Sequence, residues 1–188
     1  LEKISVIVIG PGLGAASWGK SLLSVAANAR QPQVWDADAL NQLADGGVSL
    51  PANCVITPHP GEAARLLGIS TADVQADRLK VARALSLKFN AVAILKGAGS
   101  LIACPDGRVS RCDQGHPAMA TAGLGDVLAG LVGALLAQGM PAYEASCLAV
   151  WLHATAGERQ GTLGRGLAAS DLIPAIRQLL EEQSPCLK

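Results

Sequence analysis

The sequence predicts an α/β three-layer sandwich, with a mainly parallel central sheet and helices on both of its faces. Short runs of β-branched residues alternate with segments of helical periodicity along the first half of the chain, and three longer helices follow. The chain has 188 residues and half of them are hydrophobic, so a substantial core can be buried. We expect one domain that covers residues 1–188.

Charge and cysteine content argue against several classes of protein. The formal net charge is zero and no basic stripe is present, which disfavours binding to nucleic acid or to a membrane surface. No apolar stretch reaches the roughly 20 residues that a membrane-spanning helix needs. The five cysteines form no Cys-x-x-Cys pair, and we interpret them as reduced thiols of a cytoplasmic protein. An anionic ligand must then be held by loop amides or by single cations.

The first elements alternate between strand and helix. Ile4 to Ile9 is a continuous apolar run, which is typical of a strand buried on both faces in the middle of a parallel sheet. Trp18, Leu22, Val25 and Ala26 then recur at helical spacing. Further short strands are expected at Val34–Trp35 and Cys54–Thr57, followed by a helix from Glu62 to Leu67.

The second half contributes one more parallel strand, a hairpin and the long helices. Thr71 to Phe89 is predicted as one helix, with Ser70 or Thr71 as its N-cap. The turn signal Pro105-Asp106-Gly107 is flanked by Ser100–Cys104 and Arg108–Cys112, which are predicted to form an antiparallel hairpin. The other predicted elements are a strand at Ala91–Leu95 and helices at Leu124–Gln138, Pro141–Arg159 and Ser170–Glu182, the last with Ser170 as N-cap.

The segment Thr121-Ala-Gly-Leu-Gly-Asp126 precedes an apolar helix and carries the strongest chemical signal. Its two glycines permit a tight turn, so that the amides of residues 122–125 can converge on one anion at the positive end of the helix dipole. If that anion is a phosphate under attack, the Asp126 carboxylate can accept the proton of the attacking hydroxyl. The same pattern is also compatible with an acid that merely caps the helix.

Two more segments follow predicted strands, where ligands of open α/β sheets bind. Thr57-Pro-His-Pro-Gly-Glu62 offers His59 as a donor to a phosphate or carboxamide and Glu62 as a water-mediated ligand of Mg²⁺. Its alternative is a proline-stiffened loop with an acid near a helix N-terminus. Leu95-Lys-Gly-Ala-Gly-Ser100 offers the charge of Lys96 to a nucleotide, and its alternative is a hairpin entry with a solvated lysine.

A fourth segment, Gly10-Pro-Gly-Leu-Gly14, resembles the glycine turn of dinucleotide-binding folds. Asp36 lies roughly 20 residues further on, where such folds place the acid that binds the ribose. Strand–glycine–helix turns are common, so this pattern carries little weight alone. All four segments follow strands or open helices. We therefore predict that the four segments lie together at one edge of one sheet. The functional interpretation rests on this grouping, because no single segment would suffice.

Taken together, these segments resemble one protein family. The combination of VIVIGPGLG (6–14), VWDADAL (34–40), ITPHPGEAARLL (56–67), AILKGAGSLI (93–102) and TAGLGDVLAG (121–130) is similar to the ribokinase-like NAD(P)H-hydrate dehydratases. Many of these form the C-terminal half of a bifunctional repair enzyme whose N-terminal half is an NAD(P)H-hydrate epimerase. The resemblance covers nearly the whole chain and implies a ribokinase-like fold.

The resemblance implies the repair of NADH and NADPH whose dihydropyridine ring has been hydrated. Bacterial members typically use ADP, which gives AMP and phosphate, and eukaryotic members use ATP. Asp126 would deprotonate the ring hydroxyl, which attacks the terminal phosphoryl group before phosphate leaves. The residues implied in nucleotide binding are Lys96, Gly97, Ala98, Gly99, Ser100, Ala122, Gly123 and Gly125. Those implied in binding the hydrate are Gly12, Gly14, His59 and Asp126.

Other implied features concern metal, length and assembly. Mg²⁺ is expected beside the nucleotide phosphates with Glu62 as a ligand, and Asp36 and Asp38 are further candidates for contact with nucleotide or metal. Leu124 stands where the family has a small or hydroxylated residue, which removes one side-chain contact to phosphate. Family domains begin before the first glycine-rich strand, so we expect this chain to be the C-terminal part of a longer protein. The epimerase would be fused or separate, and the resemblance also implies a homo-oligomer.

The residues leave three alternatives open. A ribokinase-like vitamin kinase, acting on hydroxyethylthiazole or a hydroxymethylpyrimidine, would share the fold and Asp126 but release a stable phosphorylated product. A dinucleotide-binding oxidoreductase would use the 10–14 turn and Asp36, yet it leaves the 95–100 and 121–126 segments without a role. A nucleotide-sensing module would need no catalytic Asp126.

Overall fold

A computed structural model describes residues 3–185, and six strands of this part of the chain form one sheet. The strands are β1 (Ile7–Ile9), β2 (Gln33–Trp35), β3 (Cys54–Ile56), β4 (Val92–Leu95), β5 (Ser100–Ala103) and β6 (Val109–Cys112). They lie side by side in chain order; β1 to β4 are parallel, and β5 and β6 continue the sheet as an antiparallel hairpin. The predicted parallel sheet and hairpin are therefore confirmed.

Helices cover both faces of the sheet, which confirms the three-layer sandwich. They are α1 (Ser17–Ala27), α2 (Ala37–Ala44), α3 (Pro60–Leu67), α4 (Thr71–Ala76), α5 (Arg78–Phe89), α6 (Leu124–Ala137), α7 (Ala142–Gly161) and α8 (Leu172–Gln183). Helices α1 to α5 pack on one face, α6 and α7 pack on the other, and α8 packs against α7.

The central strands are apolar throughout because both of their faces are buried. Val34, Val55 and Ile94 contribute to the core beneath α6 and α7. Their neighbours Trp35 and Ile56 contribute to the core beneath α1 to α5. Successive side chains of a strand point to opposite faces, so an unbroken apolar run supplies both cores at once.

The first strand was predicted in the middle of the sheet, whereas it lies at an edge of the sheet that the described residues form. The strand is shorter than the predicted Ile4–Ile9 run, and β1 lies at an edge of the described sheet. Val8 is 41% exposed and Ile4 is 42% exposed, so this run is not buried on both faces. An apolar run predicts that a segment forms a strand. The position of that strand within the sheet depends on the topology of the whole sheet.

The predicted helix from Thr71 to Phe89 is interrupted at Asp77. The backbone there leaves the helical region, and α5 restarts with the Asp77 carboxylate accepting a hydrogen bond from the Lys80 amide at 2.9 Å. An aspartate can cap a helix as well as occupy its interior, and periodicity does not separate the two cases. Ser70 caps α4 as predicted, because its hydroxyl accepts from the Asp73 amide.

The predicted N-cap of the last helix is also wrong. Residues 169–171 form a 3-10 turn before α8, so Ser170 lies inside that turn. The Asp171 carboxylate accepts from the Ala168 amide at 2.9 Å and thereby stabilises the turn rather than the helix.

Helix α1 forms where the apolar spacing predicts it, but of the four residues that carry the spacing only Ala26 is buried. Trp18 is 67% exposed, Val25 is 58% exposed and Leu22 is 40% exposed. The buried side of the helix is formed by Gly19, Leu23 and Ala26.

Two further observations concern membrane-spanning helices and the cysteine thiols. Among residues 3–185, no helix has the length and apolar character to cross a membrane. Cys54, Cys104, Cys112 and Cys147 are free thiols, and Cys186 lies outside the described residues. Burial raises the pKa of the Cys54 thiol, which therefore stays protonated and unreactive.

Candidate active site

The candidate active site lies at the carboxyl edge of the parallel strands. Asp36 follows β2, His59 lies three residues beyond β3, and Lys96 follows β4. The amino end of α6 approaches the same edge, and together these segments line a cavity of about 810 Å³. Ligands of open α/β sheets bind outside the carboxyl ends of the strands, so this cavity lies where the topology predicts a ligand.

A buried ion pair forms the floor of this site. The Lys96 ammonium lies 2.7 Å from an Asp36 carboxylate oxygen, and Asp36 is only 1% exposed. A carboxylate oxygen of Glu62, itself 5% exposed, lies 3.9 Å from the same ammonium. The first turn of α6 lies against this group, because a β-carbon on Gly125 would stand 3.1 Å from the Lys96 nitrogen. A side chain at position 125 would crowd the ammonium, so glycine suits this close approach.

The Thr57–Glu62 segment is organised by reciprocal capping of α3. The ring nitrogen Nδ1 of His59 accepts hydrogen bonds from the amides of Gly61 (3.0 Å) and Glu62 (3.3 Å). Glu62 Oε2 in turn accepts from the His59 amide at 2.7 Å. Because Nδ1 acts as an acceptor, the neutral imidazole carries its proton on Nε2, which lies 3.4 Å from Glu62 Oε1. The His59 side chain is 49% exposed and lines the cavity.

The Thr121–Asp126 segment forms the turn that was predicted. Gly123 has φ +84°, in the left-handed region that favours glycine, and α6 begins at the next residue. Asp126 lies in the first helical turn, lines the cavity and is exposed. Within residues 3–185, no hydrogen bond or ion pair engages its carboxylate. The acid does not cap α6, since Gly123 occupies the N-cap position without a side-chain hydrogen bond.

The Lys96–Ser100 segment forms another part of the cavity wall. All five of its residues line the cavity, and Ser100 opens β5. The Arg78 guanidinium stabilises the start of this loop, because it donates hydrogen bonds to the carbonyls of Leu95 (3.3 Å) and Lys96 (3.2 Å). These bonds hold the strand end in place and leave the loop facing the cavity.

The first glycine-rich turn lies beside the site but does not line its cavity. The Gly14 amide donates to the Asp38 carboxylate at 2.8 Å, and the Gln42 side chain donates to the Gly14 carbonyl at 2.9 Å. Asp36 is committed to Lys96 rather than open to a ribose. The geometry therefore disagrees with a dinucleotide turn of the oxidoreductase type.

The cavity brings together most of the predicted site residues. Those that line it are His59, Glu62, Lys96, Gly97, Ala98, Gly99, Ser100, Gly125 and Asp126. Those outside its lining are Gly12, Gly14, Ala122 and Gly123. No group of three or more histidine, cysteine, aspartate or glutamate side chains in the described residues could hold a metal ion by itself. Glu62 as a metal ligand stays a prediction.

His153 is a cavity residue that the sequence analysis missed. It lies on α7, is 9% exposed, and its Nε2 lies 2.9 Å from the carbonyl oxygen of Leu124 at the start of α6. Burial, and to a lesser degree the charge of Lys96, lowers the pKa of His153 despite the opposing effect of that hydrogen bond. A single histidine in a helical apolar pattern carries no sequence signal of such a contact.

Comparison with known proteins assigns the chain to a family. Residues 1–177 match the sequence profile described as NAD(P)H-hydrate dehydratase. The chain belongs to the NAD(P)H-hydrate dehydratase family. This assignment confirms the resemblance that the glycine-rich segments indicated.

The names of similar proteins agree with this family assignment. The chain is 45% identical over 187 residues to the bifunctional NAD(P)H-hydrate repair enzyme of Escherichia coli, covering 97% of this chain and 36% of that protein. It is 40% identical over 188 residues to the ADP-dependent (S)-NAD(P)H-hydrate dehydratase of Neisseria meningitidis, covering 95% of this chain and 64% of that protein. The chain thus spans about a third of the first relative and just under two thirds of the second.

Solved structures agree with the ribokinase-like fold. The ADP/ATP-dependent NAD(P)H-hydrate dehydratase of Bacillus subtilis, co-crystallised with ATP and Mg²⁺, superimposes with a TM-score of 0.85 at 28% identity, covering 97% of this chain and 66% of that one. A hydroxyethylthiazole kinase from Pyrococcus horikoshii superimposes with a TM-score of 0.73 at 19% identity, covering 94% of this chain and 72% of that one. The kinase resemblance is one of fold, whereas the sequence family is that of the dehydratases.

Removal of the Lys96 charge is expected to destabilise the protein strongly. Lys96→Met leaves the buried Asp36 carboxylate without its cation, and breaking a buried pair costs about 3–5 kcal/mol. Urea unfolding measures the loss, and the double variant with Asp36→Asn should recover much of it. The exposed pair Arg159–Glu182 is the control, because Arg159→Met should cost less than about 1 kcal/mol. Equal losses of unfolding free energy in Lys96→Met and Arg159→Met would contradict the claim that Lys96 neutralises a buried carboxylate.

The burial of His153 predicts a pH dependence of stability. The folded-state pKa lies below the unfolded value of about 6.5, so the unfolded chain binds the proton more readily. The stabilising contribution of neutral His153 is therefore complete above that value and is lost as the pH falls towards the folded-state pKa. The unfolding free energy of the wild type should fall more steeply between about pH 7 and pH 5 than that of His153→Gln. Parallel curves for the two proteins would show that His153 titrates normally in the fold.

Proposed function

We propose that the protein dehydrates hydrated NADH and NADPH back to the reduced cofactors, driven by phosphoryl transfer from ADP. The observation that carries this proposal is the single cavity in which the Lys96–Ser100 loop, the amino end of α6 and the Asp126 carboxylate meet. The family assignment and the names of the relatives agree with it. ADP is proposed as donor because the Neisseria relative is named as ADP-dependent.

The nucleotide would lie between the Lys96–Ser100 loop and the first turn of α6. The free amides at a helix N-terminus point towards an anion, and the helix dipole adds to the attraction. The amides around Gly123 and Gly125 would then face the terminal phosphoryl group and stabilise the charge that develops on it. The loop at 96–100 would hold the adenosine and ribose side.

Asp126 would act as the general base. Its carboxylate is exposed to the cavity and bonded to no other described residue, so it is available to a substrate hydroxyl. As the hydroxyl proton passes to Asp126, the hydroxyl oxygen bonds to the β-phosphorus of ADP and the bond to the bridging oxygen breaks, releasing AMP. The ring nitrogen then expels phosphate from carbon, and the neighbouring ring carbon gives up a proton that the departing phosphate can accept. Phosphorylation supplies a better leaving group than hydroxide.

His59 would contribute a donor rather than a base. Its Nδ1 is occupied by the amides of Gly61 and Glu62, so the proton of the neutral ring is on Nε2. A ring in this state offers an N–H to a phosphate or carboxamide oxygen of the hydrate. It has no further lone pair with which to abstract a proton.

The charges of the cavity support a nucleotide that arrives with Mg²⁺. Four carboxylates line the cavity, those of Asp36, Glu62, Asp113 and Asp126, and among the described residues Lys96 is its only lysine or arginine. Mg²⁺ is commonly held by one or two carboxylates together with substrate phosphates and water. The carboxylates that line this cavity could supply the protein part of such a donor set. Glu62 is the proposed ligand, through water, because Oε2 already accepts from the His59 amide. The ion would offset phosphate charge during transfer.

The epimerase partner, the cellular location and the assembly of the enzyme are also proposals. The E. coli relative is named as bifunctional, which agrees with an epimerase fused to or working beside this domain. A cytoplasmic location and a homo-oligomeric assembly stay predictions.

Asp126→Asn is expected to lower kcat by about 10²–10⁴-fold, because the amide cannot accept the hydroxyl proton. The measurement follows the return of reduced-nicotinamide absorbance from hydrated NADH in the presence of ADP and Mg²⁺. Calorimetric affinity for ADP should change little, since the backbone amides remain. Asp45→Asn, which changes an exposed acid outside the cavity, should keep wild-type rates.

Two outcomes would contradict the proposal. Full activity of Asp126→Asn would remove the base from the mechanism. Enzymatic recovery of the absorbance without any nucleotide would remove phosphoryl transfer.

A further inference from the structure

We infer that His153 is a positioning residue, which anchors the first turn of α6 to α7 and so holds Asp126 and the neighbouring amides in place. The inference rests on the proposed function of that turn. The observation behind it is the hydrogen bond between the buried His153 ring and the Leu124 carbonyl, two residues before Asp126.

Within the described residues, the first turn of α6 has few other hydrogen bonds to neighbouring elements. Gly123 and Gly125 bring no side chains, and the Asp126 side chain contacts no described hydrogen-bond partner. Leu124 is the residue that fastens the turn: its side chain is 4% exposed and packs among residues of α7 and α8. Its carbonyl oxygen accepts from His153. Leu124 therefore fixes the turn through its apolar side chain, beside the packing of Val127 in the same cluster, and through one directional hydrogen bond of its carbonyl.

The chemistry of the bond makes His153 a donor. A carbonyl oxygen only accepts, so Nε2 must carry the proton. Both partners are buried, and a rotation of the first turn would leave this N–H and this carbonyl unpaired. The bond therefore resists the rotation that would carry the Asp126 carboxylate away from the reacting hydroxyl.

The effect on the reaction follows from the short distance along the chain. Any shift of Leu124 is passed directly to the amide of Gly125 and to Asp126, the groups proposed to act on the transferring phosphoryl. A misplacement of about 1 Å in such groups can cost up to about 100-fold in rate. Groups that act mainly in the transition state affect kcat more than KM.

The test compares His153→Leu and His153→Gln in the intact protein. Leucine fills the space without a donor, whereas the glutamine amide can again donate to the Leu124 carbonyl. Ser86→Ala is the matched control, because it removes another buried side-chain bond to a backbone carbonyl, at 2.8 Å and outside the cavity. If His153→Leu does not fold, His153→Met takes its place.

Two readouts are measured on each variant. The first is kcat and KM for dehydration of hydrated NADH with ADP. The second is hydrogen exchange, without substrate, of peptides that contain the Val127 amide, which bonds to the Gly123 carbonyl at 3.2 Å. For His153→Leu we expect kcat to fall about 10- to 100-fold with KM within about threefold, together with faster exchange. His153→Gln should recover most of both, and Ser86→Ala should change neither.

The contradicting results are distinct from those that would refute the proposed function. Unchanged kcat and exchange in His153→Leu would overturn the anchor. Loss of kcat in both His153 variants with unchanged exchange would also overturn it, since that pattern indicates direct proton transfer by the imidazole. If the wild type does not dehydrate hydrated NADH, the proposed function fails, while the exchange measurement still decides whether His153 anchors the turn.

Discussion

The ion pair between Lys96 and Asp36 is the interaction on which the geometry of the site depends. It joins the ends of β4 and β2 beneath the amino end of α6. Because Asp36 is almost fully buried, its carboxylate needs a partner, and the two strand ends cannot separate without exposing an unpaired charge. Gly125 lets the first turn of α6 lie close to the pair, so the position of that turn is tied to the position of Lys96.

This pairing changes the role of Lys96. The sequence predicted a charge available to a nucleotide, but the ammonium is shared between Asp36 and Glu62 and its side chain is 18% exposed. Little of its charge is left for a polyphosphate. The cavity wall is acidic overall, so under the proposed function the attraction for a nucleotide would come from helix and loop amides and from a metal ion that arrives with the phosphates.

The parts of the fold that could be predicted from sequence are those encoded by neighbouring residues. The turn at Thr121–Asp126 was predicted because its glycines and its acid are adjacent in the chain. The edge position of β1 was missed, since an apolar run looks the same at an edge as in the centre. The interruption at Asp77 was missed because periodicity continues through it, although the capping bond to Lys80 is local. The site was only partly predictable: the contact of His153 with Leu124 spans 29 residues, and no local pattern encodes it.

The central claim is that separate loops meet around one polyphosphate with the Asp126 carboxylate beside the bond that breaks. The most direct test is a crystal structure of the intact protein with Mg²⁺ and a non-hydrolysable ADP analogue. The account predicts terminal phosphate oxygens within about 3 Å of amide nitrogens in the 122–126 segment, with the adenosine along the 96–100 loop. A nucleotide bound outside this cavity, or one whose terminal phosphate lies away from Asp126, would contradict it.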